Sequence, residues 1–182
     1  MTDDDQGWVE RSLQGDHEAF EALVRRYQRM IYALAYRMTG SAADAEDVTQ
    51  ETFIRAHEQL GSLRAEAKLS SWLYRIAVNQ CLNWRKRASR REQLHRQWQA
   101  QREAPASADG ALAQKVQDAL LKLKPKQRAA IVLTIYDGLS HAEAARVLGC
   151  SEATVSWRLF AARAKLKRLL TDTQAGTIHE EH

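Results

Sequence analysis

The chain has 182 residues, of which 27 are Lys or Arg and 23 are Asp or Glu, giving a formal net charge of +4. This length fits one domain or two small ones. The two cysteines, Cys81 and Cys150, exclude a disulfide framework, and the acidic start and the lack of a long apolar run exclude a signal peptide and a membrane span. We therefore expect a cytoplasmic protein that does not insert into membranes.

The charges are distributed unevenly along the chain. Acidic residues concentrate in the first ten positions and at residues 44–51, whereas residues 85–102 contain seven Lys or Arg. A chain with separate acidic and basic segments is suited to bridging an anionic polymer and a cationic protein surface.

Apolar residues recur at steps of three and four along almost the whole chain and rarely alternate, which predicts an all-α fold. The first long helix runs from Phe20 to Met38 and should end at Gly40. Ser41 is then placed to cap a second helix, whose apolar side extends to Leu60.

A polar loop at residues 62–68 separates these two helices from a third. Ser70 or Ser71 is expected to cap this third helix, which continues into the basic segment. Together the three helices predict an N-terminal helical module over residues 7–97.

A flexible linker between two modules is predicted at residues 98–111. This segment has no apolar period and contains Pro105, Gly110 and several small polar residues. A C-terminal helical module follows over residues 112–171, and residues 172–182 form a short tail. The sequence therefore predicts two small helical modules joined by a flexible linker.

The C-terminal module contains a helix-turn-helix pattern. Ser140 and Glu143 have the spacing of a capping box, which begins a short helix, and Gly149 is suited to the left-handed turn that ends it. Ser151 is placed to cap the second helix, whose outer face mixes basic, polar and aromatic residues. Such a helix suits the major groove of DNA. The alternative is a pair of packed helices whose basic face is only solvated.

A polar cluster lies near the start of the second predicted helix. Its first acids complement the positive N-terminal end of the helix dipole. That account is weaker for Gln50 and Glu51, one turn further on, which indicate a docking surface for another protein. The whole cluster consists of Asp44, Glu46, Asp47, Gln50 and Glu51.

The third predicted helix interleaves aromatic, amide and basic residues. Rings stack on unpaired bases, amides pair with base edges and basic side chains bind phosphates, so this combination suits a DNA strand separated from its partner. The remaining apolar face of the helix is thin. The sequence therefore leaves open whether Trp72 and Trp84 pack in the core or contact DNA.

In four collinear blocks the chain resembles the sigma-70 family of transcription initiation factors, in its small extracytoplasmic-function (group IV) form. The resemblance covers nearly all of residues 9–170. Four blocks in the family's order are far more specific than any one of them. The blocks are GDHEAFEALVRRYQRMIYALAYRMTG, DAEDVTQETFIRA, SSWLYRIAVNQCLNWRKR and GLSHAEAARVLGCSEATVSWRLFAAR.

The resemblance implies a promoter-specificity subunit that binds core RNA polymerase, recognises −35 and −10 promoter elements and assists promoter melting. Its implied partners are promoter DNA, the clamp coiled coil and flap of the polymerase, and an inhibitory anti-sigma protein. The polar cluster at residues 44–51 would dock on the clamp coiled coil.

Two groups of residues would then contact DNA. The −10 element would be bound by Ser62, Leu63, Arg64, Lys68, Trp72, Arg75, Asn79, Asn83, Arg85, Lys86 and Arg87. The −35 element would be bound by Ser151, Glu152, Thr154, Ser156, Trp157, Arg158, Phe160 and Arg163. Because Ser156, Trp157 and Ala161 stand where the family often has basic residues, and base-edge contacts decide sequence, no −35 consensus is carried over from the family to this chain.

Two other function classes fit parts of the pattern. A stand-alone helix-turn-helix regulator would bind an operator as a dimer, and it would need a dimerisation surface or a ligand pocket. A resolvase-like recombinase would need a catalytic serine or tyrosine domain. The sequence has no Gly-rich phosphate loop and no paired nucleophile and base, and His179 and His182 are three apart instead of the four of a zinc motif. We therefore expect no catalytic residue, no metal and no cofactor.

Overall fold

The structure, a computed structural model, describes residues 3–64, 68–92 and 108–175. Side chains are described over residues 4–64, 68–84 and 110–171. Within these ranges the chain forms eight α-helices and no strand, which confirms the all-α prediction. The helices are α1 (Asp3–Leu13), α2 (His17–Thr39), α3 (Ala42–Gln59), α4 (Leu69–Glu92), α5 (Ala108–Leu121), α6 (Pro125–Ile131), α7 (His141–Leu148) and α8 (Glu152–Ala175).

Helix α1 is absent from the sequence-based prediction. It packs on α2 through polar and aromatic contacts: the hydroxyl of Tyr27 donates to Oδ2 of Asp5 at 2.8 Å, and the guanidinium of Arg26 lies 5.5 Å from the ring centre of Trp8. Asp5 is buried although it is an acid. Periodicity of apolar residues alone therefore does not reveal this helix.

The capping residues predicted for α2 and α3 are confirmed. Gly40 adopts the left-handed conformation, with φ of 78°, and its N–H donates to the carbonyl of Tyr36 at 2.8 Å. The hydroxyl of Ser41 accepts a hydrogen bond from the N–H of Asp44 at 3.3 Å, which begins α3. The buried side of α3 consists of Ala45, Val48, Thr52, Phe53 and Ala56.

The predicted start of the third helix is wrong. Helix α4 begins at Leu69, so Ser70 and Ser71 lie in its first turn instead of capping it. The physical reason is that Leu69 is buried, at 1% exposure, and packs in the core as the first residue of the helix.

Helix α5 overlaps the C-terminal end of the predicted linker, because it begins at Ala108 and includes residues 108–111. The physical reason is local: apart from Gly110, this stretch consists of helix-compatible residues that extend α5 by one turn. The module boundaries themselves stay predictions. Residues 98–107 lie outside the described residues, as do residues 176–182 of the tail, whereas α8 continues into the tail as far as Ala175.

The helix-turn-helix prediction is confirmed in detail. The hydroxyl of Ser140 accepts from the N–H of Glu143 at 3.2 Å, and the Glu143 carboxylate accepts from the N–H of Ser140 at 3.0 Å. Gly149 ends α7 in the left-handed conformation with φ of 59°. The N–H of Thr154 donates to the hydroxyl of Ser151 at 3.2 Å, which begins α8.

The two modules pack against each other. Helix α2 contacts α5 and α6, and α4 contacts α7. Buried side chains of both modules, among them Ile31 and Leu34 of α2 and Leu120 of α5, belong to one continuous core. Within the described part of the chain no helix combines the length and the apolar character needed to cross a membrane.

Candidate protein and nucleic-acid interfaces

The predicted polar cluster lies along α3 and divides into two parts. Asp44 is in the first turn of α3, and Glu51 is paired with the arginine one turn further along at 2.8 Å. Glu46 and Gln50, in contrast, line a groove between α2 and α3, and Asp47 is exposed beside it. Glu46 and Gln50 are therefore the members placed to contact a partner seated in that groove.

This α2–α3 groove has a volume of about 940 Å³ and mostly apolar walls. Its walls include Phe20, Val24 and Phe53, and the ring of Phe20 meets the ring of His57 edge-on at 4.8 Å. Sequence reasoning missed the groove because it assigned the apolar side chains of both helices to the core. The signal was Ile54, an apolar residue on the otherwise polar side of α3 that is 47% exposed.

Six of the residues predicted to bind the −10 element line one cleft. This α4–α7 cleft has a volume of about 860 Å³ and lies between α4, the turn before it and the facing helix α7. The predicted residues that line it are Ser62, Arg64, Lys68, Trp72, Arg75 and Asn79. Leu63 and Asn83 lie outside it, and the side chains of Arg85, Lys86 and Arg87 are outside the described residues.

The two tryptophans of α4 are both partly buried against the core. Trp72 also lines the α4–α7 cleft, so it has one side on the core and one on the cleft. Trp84 packs against the core and is not among the residues that line this cleft. The sequence left open whether these tryptophans pack in the core or contact DNA. The position of Trp84 agrees with packing in the core, whereas Trp72 is placed both to pack in the core and to contact DNA.

The α4–α7 cleft is positively charged. Arg64 and Arg75 contribute from the N-terminal module, and Arg146 of α7, which sequence reasoning missed, contributes from the opposite wall. The ammonium of Lys68 is paired with the carboxylate of Glu143 at 2.7 Å. The hydrogen bonds from Lys68 and from the capping serine lower the pKa of Glu143 to about 2. Cations on both walls would attract the phosphates of a single strand.

The residues predicted to bind the −35 element lie at the N-terminal cap and on the first turns of α8. Trp157 and Phe160 project from the helix, at 64% and 75% exposure. Ser156 and Arg163 are also exposed on this outer surface, which we call the α8 face. Ser151, Glu152 and Thr154 lie at its N-terminal end, where Ser151 caps the helix.

Arg158 differs from the other residues predicted to bind the −35 element. It is half-buried, and its Nη1 donates to Sγ of Cys150 at 3.3 Å, in the turn between α7 and α8. The hydroxyl of Ser156 lies 3.0 Å from Nδ1 of His141, a residue that sequence reasoning did not single out. Both contacts join α8 to the segments that precede it.

The second cysteine, Cys81, is buried within the N-terminal module. Burial raises the pKa of its thiol to about 12. A thiol in this state is a poor nucleophile at neutral pH, which agrees with a structural role for Cys81.

Two family models match the chain. "Sigma-70 region 2" matches residues 23–91 and "Sigma-70, region 4" matches residues 113–166. Both matches fall within the two predicted modules, whose boundaries stay predictions.

Curated relatives resemble the chain over most of its length. It is 40% identical to the ECF RNA polymerase sigma factor SigM of Mycobacterium tuberculosis H37Rv, covering 86% of this chain and 79% of that protein. It is 34% identical to the ECF RNA polymerase sigma factor SigW of Bacillus subtilis, covering 90% and 95%. It is 33% identical to the RNA polymerase sigma-H factor of Pseudomonas aeruginosa, covering 91% and 93%.

Two solved structures resemble the whole fold. One is the sigma factor RpoE in complex with the anti-sigma factor NepR from Bartonella quintana, with a TM-score of 0.72, 27% identity and coverage of 84% of this chain and 96% of that one. The other is CnrH in complex with the cytosolic domain of CnrY, with a TM-score of 0.70, 31% identity and coverage of 93% and 99%.

Proposed function

Because the chain belongs to the sigma-70 family as an extracytoplasmic-function sigma factor, we propose that its three surfaces serve core polymerase and the two promoter elements. The protein is a promoter-specificity subunit that acts in transcription initiation, not a stand-alone dimeric regulator. Its family consists of initiation factors and not of enzymes.

The α2–α3 groove is the proposed docking site for the clamp coiled coil of core RNA polymerase. Its apolar walls suit the apolar side of a helix, and Glu46 and Gln50 on its rim suit basic and polar side chains beside that helix. Of the remaining cluster residues, Asp44 and Asp47 add negative charge along the same helix, whereas Glu51 is paired within it. The flap of the polymerase would contact the C-terminal module.

The α4–α7 cleft is the proposed capture site for an unpaired base of the −10 element. The ring of Trp72 offers a stacking surface, the amide of Asn79 pairs with a base edge, and Arg64 and Arg75 bind the adjoining phosphates. Binding the unpaired base favours the melted promoter over the duplex, because only the melted strand presents its base to the cleft. The protein thus assists melting by binding energy alone.

The α8 face is the proposed reader of the −35 element in the major groove. Apolar rings at Trp157 and Phe160 favour contact with thymine methyl groups, whereas arginine at such positions would favour guanine. Arg163, one turn further along, is placed for the DNA backbone. We therefore expect a −35 element with thymines opposite these two rings.

An anti-sigma factor is a proposed further partner, and the cytoplasm is the proposed location. The support is the likeness to RpoE, which was solved in complex with the anti-sigma factor NepR. The module boundaries proposed from the sequence, residues 7–97 and 112–171, enclose both family matches.

One observation carries the proposal for the −10 element most directly. Six side chains chosen from the sequence as −10 contacts, from the segment at residues 62–68 and from the helix that directly follows it, line the same basic cleft. Residues that only solvated a helix would not need to line a concave site together with Arg146 of α7.

The test is transcription in vitro on fragmented DNA of the source organism, with core polymerase alone and with this protein added. New start sites preceded by a shared pair of elements are the expected result. The opposite result is no new transcript together with tight, salt-dependent binding of the protein alone to a palindromic duplex, which would identify an operator-binding regulator.

A further inference from the structure

The side chains of the α8 face offer different hydrogen-bonding groups to a base edge. The indole of Trp157 and the guanidinium of Arg163 can only donate hydrogen bonds, and the ring of Phe160 has no polar atom. The hydroxyl of Ser156 can donate one hydrogen bond and accept two. Ser156 is therefore the member of the α8 face that can accept a hydrogen bond from a base.

The hydroxyl of Ser156 has two contacts within the protein. Its Oγ donates to the carbonyl of Glu152, one turn earlier in α8, at 3.1 Å. The same Oγ lies 3.0 Å from Nδ1 of His141. A hydroxyl has one proton and a carbonyl has none, so the two contacts are both hydrogen bonds only when Nδ1 carries the proton of the second one. His141 therefore donates to Ser156, and Ser156 donates to Glu152.

These two bonds leave an acceptor on the outer side of Ser156. The hydroxyl proton is directed to the carbonyl and one lone pair to the imidazole, so a single lone pair remains for a further partner. Ser156 is exposed, and this lone pair is available to a base in the major groove. There the amino groups of adenine and cytosine donate, whereas the keto oxygens of guanine and thymine accept. A hydroxyl held in this way pairs with the amino groups and not with the keto oxygens.

His141 is held in place by local structure. It is the first residue of α7 and directly follows Ser140, whose backbone N–H and hydroxyl are both bonded in the capping box with Glu143. The His141 side chain is exposed, so the bond to Ser156 orients its ring.

The bond from His141 selects between two states of the serine. A serine within a helix either bonds to the carbonyl four residues earlier or turns its hydroxyl towards solvent. In the second state the hydroxyl is free to donate to a keto oxygen. The imidazole favours the first state because it bonds to Oγ where Oγ meets the Glu152 carbonyl.

We propose that His141 is a positioning residue that determines specificity for the −35 element, by holding the Ser156 hydroxyl as a hydrogen-bond acceptor for the amino group of adenine or cytosine at one position. The inference rests on the proposed function of the α8 face and adds a residue of α7 to it. Without the imidazole, the hydroxyl also donates to keto oxygens, and the base preference at that position is lost. A contact of His141 with a phosphate, in contrast, would strengthen binding to every sequence alike.

A complete set of base substitutions in the −35 element tests the proposal. Competition assays with holoenzyme compare all four bases at each position, on a promoter found by the transcription assay. At one position we expect the wild type to prefer adenine or cytosine over the keto bases at least about fivefold, and His141→Ala to prefer them less than about twofold. Arg163→Ala is the matched control, because a backbone contact should weaken binding to all sequences equally. Uniform weakening by His141→Ala, or an unchanged preference, would overturn the proposal.

Two further variants separate a positioning role from a structural one. His141→Asn places an amide nitrogen on Cγ, where Nδ1 is attached, and should restore most of the base preference. Ser156→Ala should abolish the preference at the same position, and the double variant with His141→Ala should then behave like Ser156→Ala alone. Additive effects of the two alanine substitutions, or a preference for keto bases that Ser156→Ala removes, would contradict the proposal.

The hydrogen bond itself is tested in the free protein. Imidazole nitrogen chemical shifts in alkaline buffer report which ring nitrogen of neutral His141 carries the proton. We expect the Nδ1–H tautomer to predominate in the wild type and to decrease in Ser156→Ala. Equal tautomer populations in the two proteins would contradict the bond on which the proposal depends.

The two failures are distinguishable. If the wild type initiates at no promoter with core polymerase, the proposed function fails. If it initiates with base preferences in the −35 element that His141→Ala leaves unchanged, the proposed function stands and the role of His141 fails.

Discussion

The two DNA-facing surfaces of this sigma factor differ in shape and in chemistry. The α4–α7 cleft is concave and has arginines on both walls, whereas the α8 face is convex and projects two exposed aromatic rings. A concave basic site suits a strand whose base is already unpaired. A convex helix suits base edges in a duplex groove, where apolar contacts and hydrogen bonds decide sequence. We infer that cations dominate binding in the cleft and aromatic contact dominates reading by α8.

The largest expected effect on initiation is a difference between alanine variants of two asparagines of α4. Asn79 lines the cleft, whereas Asn83, one turn further along, is exposed outside it. We expect Asn79→Ala to reduce initiation from a −10-dependent promoter about 30-fold, since losing a hydrogen bond to a desolvated base costs about 2 kcal/mol. Asn83→Ala is the matched control and should stay within about twofold. Abortive initiation assays measure both, and equal losses would show that the cleft does not delimit the −10 site.

The contact between Arg37 of α2 and Asp137, in the segment after α6, provides a pH-dependent test. The Asp137 side chain is 8% exposed, and burial raises its pKa to about 6, although Arg37 acts in the opposite direction. A carboxyl that binds its proton more tightly in the folded chain destabilises the fold when ionised, and that cost disappears as the pH falls from about 6 towards the unfolded value. We expect Asp137→Asn to raise the free energy of unfolding by about 1–2 kcal/mol at pH 7.

The gain from Asp137→Asn should be largely lost by pH 4. Urea denaturation at pH 7, 5.5 and 4 measures it, with the wild type as reference. If the gain in unfolding free energy does not change with pH, or if the variant is less stable at pH 7, the buried charge of Asp137 does not destabilise the wild type.

Substitutions on the α8 face test whether aromatic contact dominates recognition of the −35 element. We expect Trp157→Ala to weaken binding to the −35 element about fivefold. Replacing thymine by uracil in that element should weaken wild-type binding about fourfold, since a buried methyl is worth about 0.8 kcal/mol. Arg158→Ala is the comparison variant and should have the smaller effect, because Arg158 is bonded to Cys150. Competition assays with holoenzyme measure all three. If replacing thymine by uracil weakens binding of Trp157→Ala as much as it weakens binding of the wild type, the Trp157 ring does not contact the thymine methyl group.

The smallest expected effect concerns the α2–α3 groove. Reversing the charge at its rim with Glu46→Lys should weaken core-polymerase binding about threefold, because rim charges contribute modestly. Glu10→Lys on α1 is the matched control, since Glu10 is also exposed and does not line the groove. The two variants are compared by competition for core polymerase. If both bind like the wild type, the polar rim has no part in docking.

The sequence predicted those parts of the fold that depend on local chemistry. Gly40, Ser41 and the Ser140–Glu143 capping box act where the pattern placed them, because caps depend on a few neighbouring residues. The start of α4 was misplaced because a buried residue, Leu69, determines it through tertiary packing. Capping patterns therefore predicted the ends of the helix-turn-helix correctly, but they misplaced the start of α4, the helix that lines the cleft.

The sequence could not predict what depends on the approach of the two modules. Arg128 looks like an ordinary surface residue near a helix start, yet it is buried on carbonyls of both modules. Arg146 looks like part of the helix-turn-helix, yet it lines the cleft formed with α4. Both roles arise from contacts between segments far apart in the chain, for which periodicity carries no signal.

The central claim is that two separate surfaces of one chain contact two promoter elements in the same complex. Photocrosslinking residues at Ser71, which lines the cleft, and at Ala153, exposed in the first turn of α8, test it in the holoenzyme on a promoter from the transcription assay. The account predicts that the probe at position 71 crosslinks to one strand of the −10 element and the probe at position 153 to the −35 element. Crosslinks from both probes to a single element, or from neither, would contradict it.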